Sequence, residues 1–84
     1  MKLTRYWLEF AEPAESLFIR SFGVTAWNHN DALNILMSRI SDYHQLRPTK
    51  RIDGVDINTL DPNHVLPNMG VFAVRGIWFP KHYQ

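Results

Sequence analysis

One stretch of this chain carries a helical period. Leu33, Leu36, Met37, Ile40 and Tyr43 or His44 recur at i, i+3, i+4, i+7 and i+10, the spacing that lines one face of an α-helix. The other apolar residues alternate with polar ones or run in short blocks. A chain with one amphipathic helix and several alternating segments buries its apolar surface by laying that helix on a sheet, an α+β arrangement. The helix is expected over residues 29–46. Asn28 caps its start, and Asp31 reaches back in a variant of the capping box. Asp31 also puts negative charge in the first turn, where the helix dipole favours it. Pro48 disfavours helical dihedrals at Arg47 and so ends the helix.

Residues 3–11 alternate as a strand, with Tyr6, Leu8 and Phe10 on the core face and Arg5, Trp7 and Glu9 on the other. Residues 17–27 form the second, where Phe22, Val24 and Ala26 alternate with Ser21, Gly23 and Thr25. Arg20 shares a parity with Phe22, which predicts a bulge near Arg20 or Ser21. The short connection around Pro13 makes these two strands an antiparallel hairpin. Residues 52–57 give a third strand interrupted by Gly54, and residues 71–79 a last one ended by Pro80. Between them, residues 58–70 are dense in Pro, Asn and Gly, the composition of an ordered loop with defined dihedrals. The expected order is β-β-α-β-β in a single small domain over residues 1–84. Its sheet is mostly antiparallel, and one long helix packs on one face.

Eighty-four residues lie near the lower limit for a domain that folds alone. There is no cysteine, so packing must supply the stability that disulfides or thiolate-bound metals give other small domains. Three Trp, three Tyr and five Phe meet that need, because each buried ring removes a large apolar area from water. The net charge of +1 gives no strong field toward nucleic acid or anionic lipid. No apolar run approaches the roughly 18–20 residues that span a bilayer. The first residues lack the apolar core of a signal peptide, so the expected location is the cytoplasm.

One helix covers one face of a sheet. The other face carries Trp7, with Trp27 and Trp78 as further aromatics. Either that face is an open binding or dimer surface, or the 58–70 loop folds over it. Trp7, Trp27, Trp78 and Arg75 are the interface candidates, with His64 and Asn68 on the rim. Asp61 and His64, three apart on a helical turn, share a side and are the candidates for a metal site or an oriented base, with Asp53, Asp56 and His82 as the nearest further ligands. Asp61-Pro62 equally reads as the cap and first residue of a turn. Arg39, Arg47, Lys50 and Arg51 could meet a single strand of nucleic acid, but they also complement the helix C-terminus. No Gly-rich phosphate loop, G-x-S-x-G elbow or H-E-x-x-H motif occurs. No cofactor is expected.

Gly23-Val24-Thr25-Ala26, Leu60-Asp61-Pro62-Asn63-His64-Val65-Leu66-Pro67-Asn68-Met69-Gly70 and Val74-Arg75-Gly76-Ile77-Trp78-Phe79-Pro80 together resemble a group of small bacterial proteins of similar length, to which no activity is assigned. The resemblance covers most of the chain and implies a bacterial, stand-alone cytosolic protein. The hairpin-then-helix start also looks like some small immunity proteins of toxin systems, in architecture alone. The leading expectation is a non-enzymatic protein–protein interaction module, immunity-like or a homodimer. The alternatives are a small metal-dependent or acid–base enzyme using Asp61 and His64, and a nucleic-acid binder.

Overall fold

The computed structural model describes residues 2–14, 19–40 and 48–83. Four strands, β1 (Thr4–Ala14), β2 (Ile19–Ala26), β3 (Lys50–Asp53) and β4 (Gly76–Phe79), form one sheet in the order β3-β1-β2-β4. Every neighbouring pair is antiparallel. Helix α1 (His29–Arg39) follows β2, and short 3-10 turns at Ile57–Thr59, Leu66–Asn68 and Lys81–Tyr83 add to the strands and helix. The domain is therefore small, α+β and antiparallel.

The alternation in β1 sorts its side chains onto two faces. Tyr6, Leu8 and Phe10 join Phe22, Val24 and Ala26 of β2 on the helix side, where Tyr6 stands opposite Val24 and Leu8 opposite Phe22. Ala32 and Leu36 of α1 and Ile40 just past its end close this core, with Ile77 and Tyr83 completing it. The buried helix positions are four apart, so the stripe runs through Ala32, Leu36 and Ile40. Met37, expected in the stripe, is exposed. Leu33 and Ile35 flank the stripe instead.

The opposite face is also covered. Trp7, Val55, Leu60, Val65 and Trp78 are buried together, with Ile52, Ile57, Met69 and Phe79 packed around them. The segment after β3 therefore folds back over the sheet as a second layer. Its turns are locally encoded. The Asp56 carboxylate accepts the Asn58 N–H, and that of Asp61 accepts the Asn63 N–H, the side-chain turns that Asp favours. Leu60 between these turns and Val65 just after them are buried.

Several boundaries differ from those expected. Helix α1 ends at Arg39, because Ile40 takes extended dihedrals (φ −124°, ψ 96°) as it drops into the core. The expected helical residues 41–46 lie outside the described residues, as do 17 and 18 of the second strand. The third strand covers Lys50–Asp53 and not 52–57: Gly54 turns the chain at φ 68°, and the Gly54 and Val55 N–H groups both close on the Arg5 carbonyl. The last strand starts at Gly76 and not at 71. Its pairing with β2 stops at Thr25, next to the end of β2 at Ala26, and residues 71–75 are not part of the strand. The hairpin irregularity does fall opposite Arg20, but the extra residues lie on β1 between Glu9 and Ala14, where Pro13 has no N–H for a ladder.

Candidate interaction surface

Residues 70–75 leave the second layer and run to β4 without regular structure, yet three tethers fix their path. The Gly70 N–H donates to the Trp78 carbonyl at 2.7 Å. The buried Thr25 hydroxyl donates to the Phe72 carbonyl at 2.7 Å. Arg75 donates from Nε and Nη2 to the two oxygens of Asp31 at 2.9 and 2.6 Å, the bidentate geometry of a strong guanidinium–carboxylate pair. The Arg5 guanidinium also lies 5.7 Å from the centre of the Phe72 ring.

Asp31 is itself fixed by the helix start. Asn28 accepts the Asp31 N–H, and Asp31 Oδ2 accepts the Trp27 N–H at 3.0 Å. One carboxylate thus joins Trp27, the first turn of α1 and Arg75. The Arg75 hydrogen bond, and after it the Trp27 N–H, hold the Asp31 carboxyl below its ordinary pKa. The same pair raises Arg75.

The tethers are polar, and what they hold out is apolar. Val71 is 57% exposed, Val74 55%, Phe72 37% and Trp27 44%. Three of these four apolar side chains fall within residues 71–74, so the exposure is concentrated in one segment.

The other predicted positions sort differently. Trp7 and Trp78 are not exposed anchors. They pack 6.1 Å apart in the second layer, and Trp78 is fully buried. Trp7 Nε1 donates to Glu9 at 2.9 Å, whereas Trp78 Nε1 has no acceptor among the described residues. Trp27 and Arg75 do come together, through Asp31. His64 and Asn68 are exposed on the outer side of the second layer, where Asn68 Nδ2 donates to the His64 carbonyl at 2.6 Å. They do not join the 71–75 segment by any hydrogen bond among the described residues. The Asp61 carboxylate caps its turn through the Asn63 N–H. Among the described residues, no group of three His, Cys, Asp or Glu side chains is placed to hold a metal ion. Arg51 of the basic connector is bound bidentately by Asp53 at 2.6 and 2.8 Å, and Arg47 lies outside the described residues.

Val71, Phe72, Val74 and Asp31 were not among the sequence candidates for the surface. Their signal was the 71–74 run itself, which is apolar at both parities. A strand of that kind is buried on both faces. Here the β2–β4 pairing ends at Thr25 and Gly76, and the run before it lies exposed.

No family model, curated protein or solved structure matches the chain. No helix among the described residues is long and apolar enough to cross a membrane.

Proposed function

We propose that this protein is a non-enzymatic protein–protein interaction module whose contact surface is Trp27 with Val71, Phe72 and Val74. One observation carries the reading: four exposed apolar side chains stand on backbone that hydrogen bonds and an ion pair already fix. Folding gains little from apolar groups left in water. A partner that covers them gains about 25 cal/mol per Å² of apolar area, and the fixed backbone lowers the ordering cost of binding. The partner is a second copy of the chain or another protein.

The test compares the wild type with a Val71→Asp/Val74→Asp variant, in sedimentation across the micromolar range and in capture from a cell extract. The reading expects the wild type to self-associate or to retain a protein, and the variant to do neither. A wild type that stays monomeric and retains the same set of proteins as the variant would sink it.

A further inference from the structure

We infer that the docking surface receives an acidic peptide segment, in which a carboxylate neighbours an apolar side chain; this rests on the reading of the 71–74 face as a contact surface. Beside that face, a depression of about 250 Å³ lies between α1 and the start of β4. It is smaller than the roughly 300–1,000 Å³ of small-molecule sites, a size suited to a side chain. Ile35, Val74, Ile77 and Tyr83 give it apolar and aromatic walls, and Arg39 and Arg75 line it with charge. No acidic side chain lines it among the described residues.

The Asp31 carboxylate that pairs with Arg75 is already spent. Both oxygens of Asp31 accept from Arg75 or from the Trp27 N–H, and its side chain is 16% exposed against 50% for Arg75. The pair therefore turns its guanidinium, and not its carboxylate, toward water. Its bonds use Nε and Nη2, which leaves Nη1 for a further acceptor. Arg39, exposed in the last turn of α1, forms no ion pair among the described residues. An apolar hollow with two guanidinium groups at its rim complements a carboxylate beside an apolar group and repels a cation.

The probes are two blocked hexapeptides, one alternating Glu with Leu and the other Lys with Leu, titrated into isotope-labelled protein by NMR. The Glu–Leu peptide is expected to shift the Ile35, Val74 and Ile77 methyls and the Tyr83 ring. The Lys–Leu peptide is expected to bind these groups about tenfold more weakly. Arg39→Glu should weaken the Glu–Leu peptide by about the same factor, with Arg39→Met between the two. Equal binding of both peptides at the hollow overturns the acidic partner and leaves the contact surface standing. So does the absence of any shift in a protein whose association still depends on Val71 and Val74. If association is indifferent to Val71 and Val74, the contact surface itself fails.

Discussion

Gly23 of β2 and Trp78 of β4 are packed so closely that no side chain fits between them. A Cβ on Gly23 would fall 2.5 Å from Cη2, Cζ2 and Cζ3 of the Trp78 ring. Across the sheet, Gly23 stands between Trp7 and Phe79. The missing side chain makes the hollow into which the indole lies. A bulge assists, because the β2–β4 register shifts between Gly23 and Val24, and Trp78 and Phe79 can both face the second layer.

Gly23→Ala therefore forces Trp78 out of its seat and costs about 3 kcal/mol, in the range of overpacked cores. Trp78→Phe shortens the ring at the atoms that clash. The double variant should then lose less than the sum of the two single losses, a coupling that urea unfolding of all four proteins would resolve. Strict additivity would mean that the two residues do not share a seat.

This relationship was half legible in the sequence. A glycine inside a strand points to a bulge or a close approach, and the alternation in β1 separated Tyr6, Leu8 and Phe10 from Trp7. The helix start was legible too, because Asn28 and Asp31 cap through local geometry. Which ring approaches Gly23 was not legible, since it depends on pairing across more than fifty residues. Whether residues 58–70 covered the Trp7 face was likewise open, because the turns are written locally in Asp56 and Asp61 but their docking is not. Residues 71–75 have the composition of a strand, yet β4 begins only at Gly76.

The Asp31–Arg75 pair makes the surface sensitive to acid. In the folded protein the Asp31 carboxyl is held below its ordinary pKa, first by the Arg75 hydrogen bond and then by the Trp27 N–H. The unfolded chain thus takes up the proton at a higher pH than the folded one. The stability from this pair is present above the ordinary carboxylate pKa and is lost as pH falls through the depressed folded value. Arg75→Met should bring the Asp31 titration, followed by carboxyl NMR, back toward the ordinary value and make the acid loss shallower. An unchanged Asp31 titration would show that Arg75 does not hold it.

His29 titrates by a separate cause. Burial, and then the Arg51 guanidinium, hold its pKa below 6.5, while Asp53 acts against them. Nδ1 is buried without a hydrogen-bond partner among the described residues, and the ring lies 6.3 Å from that of Tyr6. The unfolded imidazole charges first as pH falls, so stability is full above the unfolded value and declines as pH drops from 6.5 through the folded one. Arg51→Met should raise the His29 pKa and Asp53→Asn should lower it, both read from the ring resonances. Shifts of the reverse sign would contradict this placement of the three groups.

The domain seals Trp7 and Trp78 under its second layer and leaves Trp27 and residues 71–74 exposed. Three indoles and the valine methyls give separate NMR signals, so a neutral nitroxide added to the solvent reads that division in one spectrum. The expected result is strong broadening of the Trp27 indole and the Val71 and Val74 methyls, with the Trp7 and Trp78 indoles untouched. Broadening of Trp7 or Trp78 to the same extent as Trp27, or sharp Val71 and Val74 methyls, would contradict it.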